Sequence, residues 1–386
     1  MRVAVVVRSL KIGGMERVAV NLSEAFADEG HESHLIYFKA KGKKLSPKES
    51  VILHHFNLEG SLKKTIIGLP FFLLAKLFNG LIRGSFFFYN GLLLAPIFKY
   101  KLKQIESKYG KFDLIIMRGH GTFEMIWPYQ DERIIQMVES IFIRSKSSLD
   151  RFYLRCVYNN KHLAGVSLGV KEKIEELVEE LDLKPRSVNV IYNPIDAATI
   201  LKKANDYTID MKEKYIVSVS RITPNKNIPF LLRAYKIARD RYKLDLPLVI
   251  IGDGHDMQRV KQTIAELELD KDVKLLGLLQ NPYPWIKNAQ LLTSTSKAEG
   301  FGMVIVEALI LDTQPLTTKS EGGIRDIMCN ELSEYMVDFD EELFAQKMLK
   351  CVKTPKKIAY EKYTTPFSAK AITQAYLSFL QEKIVH

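Results

Sequence analysis

Short runs of β-branched and aliphatic residues alternate with segments of helical spacing, and they do so in two series, one toward each end of the chain. That alternation is the pattern of parallel sheets joined by crossover helices. The first series opens with a strand at Val3 to Val7, passes through a helix near Glu16 to Glu29, and continues in strands at His34 to Phe38 and Asp113 to Met117. The second opens around Tyr215 with KYIVSVS, followed by a helix from Pro229 to Arg241, the strand and turn LPLVIIGDG, a helix from Asp256 to Leu267 and the strand DVKLLG. Between the series lies VNVIYNPID, with Asn193 and Pro194 at its centre, which places an interdomain hinge near 193–212. A chain of 386 residues also exceeds what one ordinary core supports. The expected fold is therefore α/β, with domains at 1–192 and 193–366. A closing helical stretch, 367–386, carries Ala371, Ala375, Leu377 and Leu380 and is expected to pack back on the first domain.

The net charge of +11 admits nucleic acid, anionic lipid or a phosphorylated small molecule as partner, so its location matters more than its size. Cys156, Cys329 and Cys351 are few, odd in number and far apart, which argues against a disulfide framework and a Cys-rich zinc site and fits a reducing cytosol. The opening MRVAVVVRSL reads as a first strand, without the long apolar region and cleavage site of a signal peptide. A cytoplasmic protein is the expectation.

Much of the positive charge falls in residues 61–111, where Lys63, Lys64, Lys76, Arg83, Lys99, Lys101, Lys103, Lys108 and Lys111 face a single acid, Glu106. The uncharged runs 65–75 and 84–98 fall short of the ~20 residues that a spanning helix needs, and Pro70, Gly84 and Gly91 interrupt them. Two readings stay open. The segment lies in the headgroup region of an anionic inner leaflet, making the protein peripheral at the cytoplasmic face of the inner membrane, or it forms core helices with snorkelling lysines. Nucleic acid is not an expected partner, because the aromatics cluster as FFF and FF and no nucleic-acid motif accompanies them.

Three motifs carry chemistry. In KIGGMERVAVNL, Gly13 and Gly14 precede an amphipathic helix with Val18, Leu22 and Phe26, so backbone and helix N–H groups can approach a phosphate or a sugar hydroxyl; a tight turn would use the same residues. In SVSRITPNKN, Arg221 and Lys226 follow a strand, at the sheet edge where open α/β folds bind ligands, and two fixed cations there suit a diphosphate. In KAEGFGMVIVEAL, Gly300 and Gly302 turn the chain into a helix whose N-terminus can meet a phosphate, while Glu307 can accept from ribose hydroxyls and Glu299 lies nearer a sugar. An acid among Val304, Ile305, Val306, Ala308 and Leu309 needs a partner, which a structural salt bridge would also supply.

Together, GGMERV, SRITPNKN, IGDG and EGFGMVIVE, in that order, resemble the retaining glycosyltransferases of family GT4, over most of the chain except residues 40–110. The resemblance implies the GT-B fold, two Rossmann-like domains facing a cleft. It implies that Glu307 binds the nucleotide ribose, that Arg221 and Lys226 bind the diphosphate, and that Glu299 with the Phe301–Gly302 backbone binds the donor sugar. Gly14 would lie against the donor, and His120, in FDLIIMRGHGTFE, matches a histidine at the cleft edge of the first domain. His31, in EGHES, reads as structural. Asn193 matches the hinge motif and Gly322–Gly323 a glycine turn near the donor. The sequence departs from the family pattern at Ser220, where glycine is common, and in KSEGGIRDI, where a glycine-proline-glutamate end is usual.

The implied reaction moves a sugar from a nucleotide-sugar donor, a UDP-sugar by expectation, to a glycan or lipid-linked acceptor of bacterial surface polysaccharide, lipopolysaccharide or lipid-linked oligosaccharide. Retention is expected through attack on the face that the diphosphate leaves. No cofactor and no metal are expected: Arg221, Lys226 and helix N-termini supply positive charge to the leaving group, and DFDEE at 338–342 reads as a solvated helix start. A nucleotide-sugar epimerase of the same fold and a non-catalytic partner subunit remain as alternatives.

Overall fold

The computed structural model describes residues 1–11, 13–81, 85–119, 121–140, 148–356 and 359–385. The chain divides into two units, one formed by Met1–Pro194 with Ala369–His386, the other by Ile195–Ser368.

Unit 1 is built on a seven-stranded parallel sheet of β1 (Arg2–Ser9), β2 (Glu32–Lys39), β3 (Val51–His55), β4 (Leu114–Arg118), β5 (Ile134–Val138), β6 (His162–Gly165) and β7 (Ser187–Val190), in the order β3-β2-β1-β4-β5-β6-β7. β1 and β4 are buried on both faces, which explains their near-continuous Val, Ile and Leu. Its helices are α1 (Gly14–Asp28), α2 (Leu58–Lys63), α3 (Gly68–Leu81), α4 (Ser85–Tyr109), α5 (Ser148–Tyr158) and α6 (Leu168–Leu181). On α1, Val18, Leu22, Ala25 and Phe26 form the buried stripe.

Unit 2 starts with α7 (Ala197–Lys203) inside the stretch that the sequence reads as hinge. Its six-stranded parallel sheet comprises β8 (Ile216–Val219), β9 (Leu248–Ile251), β10 (Val273–Gly277), β11 (Leu291–Ser294), β13 (Pro315–Thr318) and β15 (Met336–Val337), in the order β10-β9-β8-β11-β13-β15. A separate parallel pair joins β12 (Ala298–Glu299) to β14 (Glu321–Gly322). The helices are α8 (Ile228–Asp240), α9 (Met257–Glu266), α10 (Tyr283–Asn288), α11 (Met303–Ile310), α12 (Ile324–Ile327), α13 (Glu341–Lys353) and α14 (Tyr360–Thr364). The chain then returns to unit 1 as α15 (Ala369–Val385), where Tyr376 lies 5.9 Å from the Phe26 ring and Phe379 lies 5.4 Å from His162.

Each sheet reverses its strand order beside its first strand, between β1 and β4 in unit 1 and between β8 and β11 in unit 2. Crossovers leave in opposite directions there, so the loops beyond the strands' carboxyl ends splay apart and ligands bind between them. SRITPNKN follows β8 and SKAEGFG follows β11; the Gly13–Gly14 turn follows β1 and RGHG follows β4.

The basic, apolar segment contains two helices of different character. α4 turns Leu94, Ala95, Phe98, Leu102 and Ile105 into the core. α3 buries only a narrow face, with Phe72 and Ala75, and that face packs toward α4, the Phe72 ring standing edge-on to Phe86 at 5.4 Å. Its other side carries Leu69, Leu73, Leu74, Leu77 and Phe78 at helical spacing, all exposed, after the exposed pair Ile66 and Ile67. Among the described residues no helix is long and apolar enough to cross a membrane.

Candidate functional site

The two loops at the reversal point of unit 2 are tied to each other. The Asn225 amide donates to the Ala298 carbonyl at 2.8 Å, while Lys297 N–H reaches the Asn225 carbonyl at 2.8 Å and Ala298 N–H reaches Asn225 Oδ1 at 3.2 Å. The Thr295 hydroxyl donates to the Lys226 carbonyl at 3.1 Å. These bonds hold Lys226 beside Glu299, and the Lys226 ammonium forms a half-buried ion pair with the Glu299 carboxylate. Asn225 is a residue that sequence reading missed; its place inside the motif, next to the cation, was the available signal.

A third segment closes on the same carboxylate-bearing strand. Glu321 N–H donates to the Lys297 carbonyl at 3.0 Å and Gly323 N–H to the Glu299 carbonyl at 2.8 Å, so the Gly322–Gly323 turn is bonded to the backbone of Glu299. Gly322 needs its left-handed φ of 101° for this turn.

The helix that follows has no side-chain cap at its N-terminus. Gly302, the N-cap of α11, has φ 101° and no side chain to accept from the first-turn amides. A Cβ there would lie 2.8 Å from Ile324 Cδ1. The Phe301 side chain is buried edge-on to Phe367 with centroids 4.8 Å apart, so only its backbone can serve a ligand. Glu307, one turn into α11, is buried and accepts from the Tyr283 hydroxyl at 3.1 Å. Tyr283, the first residue of α10, is a second group the sequence did not single out; it lies 24 residues from its partner.

The remaining sequence-predicted residues fall as follows. Arg221 is exposed just beyond β8, without a hydrogen bond or ion pair among the described residues. The IGDG turn packs against the same loop: Ile222 N–H donates to the Asp253 carbonyl at 2.9 Å, and a Cβ on Gly252 would meet the Ser220 carbonyl oxygen at 1.8 Å. In unit 1, Gly14 is the first residue of α1, and a Cβ there would meet nothing within 4 Å. Gly13 is extended at φ −172°, which any residue adopts, so the backbone demands glycine at neither position. His120 lies outside the described residues; its neighbours Gly119 and Gly121 hold φ of 71° and 76°. His31 sits edge-on to Phe26 at 5.9 Å. Asp340 of DFDEE caps α13 by accepting from Leu343 N–H at 2.8 Å, and Glu341 and Glu342 pair with Arg233 and Arg241. No group of three His, Cys, Asp or Glu able to hold a metal occurs among the described residues.

Asn193 has a role the sequence did not specify. It is buried and its Oδ1 accepts from Arg118 Nη2 at 2.5 Å, while the fully buried Arg118 also pairs with Glu139 at 2.5 Å and approaches the Tyr376 hydroxyl at 3.5 Å. One guanidinium thus joins β4, the end of β5, the last residues before unit 2 and the returning helix α15.

Residues 12–199 match the family described as Glycosyltransferase Family 4, and residues 200–365 match Glycosyl transferases group 1. The chain belongs to glycosyltransferase family 4. The chain has the GT-B type of α/β fold, with parallel sheets of seven and six strands. It is 32% identical over 196 residues to the Campylobacter jejuni N-acetylgalactosamine-N,N'-diacetylbacillosaminyl-diphospho-undecaprenol 4-alpha-N-acetylgalactosaminyltransferase, an alignment covering 51% of this chain and 52% of that protein. The chain thus spans about half the length of that relative. Across 91% of this chain and 89% of the relative it is 22% identical to a second Campylobacter jejuni protein, GalNAc-alpha-(1->4)-GalNAc-alpha-(1->3)-diNAcBac-PP-undecaprenol alpha-1,4-N-acetyl-D-galactosaminyltransferase. Among solved structures, Anabaena HepE in complex with UDP shares the fold with a TM-score of 0.67 at 16% identity, covering 99% of this chain and 100% of that one.

Proposed function

We propose that this glycosyltransferase moves a sugar from a nucleotide diphosphate donor, a UDP-sugar, to a lipid-linked or polysaccharide acceptor, with retention at the anomeric carbon. The observation that carries the reading is the reversal point of unit 2, where Asn225 ties the Lys226 loop to the Glu299 loop. Departure of the nucleoside diphosphate breaks the bond between the anomeric carbon and the phosphate oxygen and leaves negative charge on that oxygen. Lys226, Arg221 and the amides at the start of α11 answer that charge. A diphosphate that takes Lys226 frees Glu299 to accept from the sugar's hydroxyls, while Glu307, oriented by Tyr283, accepts from the ribose. The acceptor oxygen bonds to the anomeric carbon on the face the diphosphate leaves, and its proton passes to the departing phosphate. The charged groups assigned here do the work a divalent metal would otherwise do, so the reaction is proposed to be metal-independent.

The acceptor side rests on the activities for which relatives are named, on diphospho-undecaprenol-linked glycans and lipopolysaccharide, and on α3. An exposed row in which Ile66 is 96%, Leu77 65% and Leu73 58% accessible is costly to leave in water. Lys63 and Lys76 flank it, each over the Phe72 ring at 4.3 and 5.4 Å. An anionic bilayer satisfies both features, with the apolar row in the acyl boundary and the ammonium groups at the phosphates. The protein is therefore proposed to work at the cytoplasmic face of the inner membrane, in surface polysaccharide, lipopolysaccharide or lipid-linked oligosaccharide synthesis.

The test incubates the full chain with radiolabelled nucleotide sugars and bacterial membranes and extracts the lipid. Label should enter the lipid-linked or polysaccharide fraction and disappear with Glu307→Ala. Donor isomerised without acceptor would instead make it an epimerase, and no turnover with any donor would make it a non-catalytic subunit.

A further inference from the structure

A cavity of about 360 Å³ lies along the outer edge of the unit 1 sheet, between the edge strand β3 and the C-terminal half of α4. Lys101, Gln104, Lys108 and Tyr109 line it from α4, and His54 and His55 line it from β3. No carboxylate is among the lining residues, and neither lysine has a carboxylate partner among the described residues; the Lys108 ammonium rests instead over the Tyr109 ring at 4.8 Å. Two cations turned to one cavity without a counter-charge favour an anionic occupant.

Behind His54 stands a chain of hydrogen bonds. Arg2 donates to Glu32 through Nε at 2.7 Å and Nη2 at 2.8 Å, and holds the Glu32 carboxyl down at about 2, so it is ionised and can only accept. His34, fully buried, must then carry its proton on Nε2, 3.0 Å from Glu32. Burial keeps the His34 ring neutral, so its Nδ1 accepts, and His54 Nε2–H is the donor across 2.8 Å. The two rings are coplanar within 5° with centroids 5.1 Å apart, as an in-plane hydrogen bond between imidazoles requires. Tyr109 and Phe112 stand edge-on to His34 and fix it in that plane. The relay leaves His54 Nδ1 as the one basic position on that ring, and a second proton there makes His54 a cation whose charge the Glu32 carboxylate supports through His34.

We propose that this cavity binds a phosphate or pyrophosphate group, held by Lys101 and Lys108 and by His54 protonated at Nδ1. It is independent of the donor site in unit 2. The groups facing His54 are Glu32, His34 and Arg2 through the relay, and Lys101, Lys108 and Tyr109 from α4; the ring of His55, next on the strand, stacks on Tyr37 on the other face. Without an anion, burial and the neighbouring His34 and Lys108 push His54 down to about 4, so it is neutral at neutral pH. An anion beside the ring reverses the sign of that field, and binding then takes up a proton. Affinity is therefore highest in mild acid and falls as pH rises through the midpoint of the bound state.

Calorimetry with inorganic pyrophosphate on the full chain at pH 6.0 and 8.0 tests this, beside NMR titration of histidine-labelled protein. Binding should be tighter at the lower pH, and Lys101→Ala/Lys108→Ala should weaken it by at least about tenfold. Pyrophosphate should raise the His54 midpoint from about 4 by at least about two units, into the range where pH 6.0 and 8.0 differ, an effect that His54→Gln removes from the spectrum. Co-sedimentation with phosphatidic acid or phosphatidylglycerol vesicles separates the two sources. A lysine-dependent preference for the phosphomonoester headgroup assigns the site to lipid, and lysine-dependent binding of pyrophosphate without that preference assigns it to a free anion. Pyrophosphate and vesicle binding both indifferent to the lysine pair, or a His54 midpoint that does not move, would overturn the proposal.

Discussion

The reversal points of the two sheets use similar turns in different ways. In unit 2 the glycine turn before α11 is constrained on every side: Gly302 is left-handed with Ile324 against it, and the preceding strand is bonded to the Asn225 loop and to the Gly322–Gly323 turn. In unit 1 the turn before α1 has an extended Gly13 and an open Gly14, and the polar anchor lies beneath it, at the buried Arg118. Both units set charge at the strands' carboxyl ends, but unit 2 leaves Arg221, Lys226 and Glu299 in part open to solvent. Unit 1 spends its buried charge on joining β4, β5, Asn193 and α15.

That contrast can be broken by substitution. Arg118→Met should cost the most, about 3–5 kcal/mol of unit 1 stability, because it leaves the mostly buried Glu139 without that cation; denaturant unfolding reads it. Lys226→Ala should lower kcat/KM about 10²–10³-fold, because the positive charge met by the leaving diphosphate is gone, and should cost about 1–3 kcal/mol of stability by leaving the mostly buried Glu299 unpaired. Gly302→Ala should cost about 1–3 kcal/mol through backbone strain at φ 101°, read by thermal unfolding. Gly14→Ala, at a helical position with open space, should change stability by less than about 1 kcal/mol. Equal costs at Gly302 and Gly14 would erase the difference between the two turns.

What the sequence made legible follows the same division. SRITPNKN and KAEGFGMVIVE could be read because each motif is local, with its strand end, turn and helix start within a dozen residues. The pairing of Lys226 with Glu299 was not legible, since it depends on β8 and β11 being sheet neighbours across 73 residues. The same holds for Arg118 with Tyr376, 258 residues apart, and for His34 with His54, which meet only through the register of β2 and β3. Strands β3, β5 and β6 escaped the reading because VILHH, IIQMV and HLAG place His or Gln inside four or five residues and break the aliphatic run that marks β1, β4 and β9. In 61–111 hydropathy could not choose between core and surface, because Phe72 and Leu73 are equally apolar and differ only in what covers them.

The most direct test of the central claim is calorimetric titration of UDP and a UDP-sugar into the wild-type chain, Lys226→Ala and Glu307→Ala. The wild type should bind, and each variant should bind at least about tenfold more weakly while still unfolding cooperatively as a folded protein. Equal affinity in all three folded proteins would place the nucleotide elsewhere and contradict the assignment of Lys226 and Glu307.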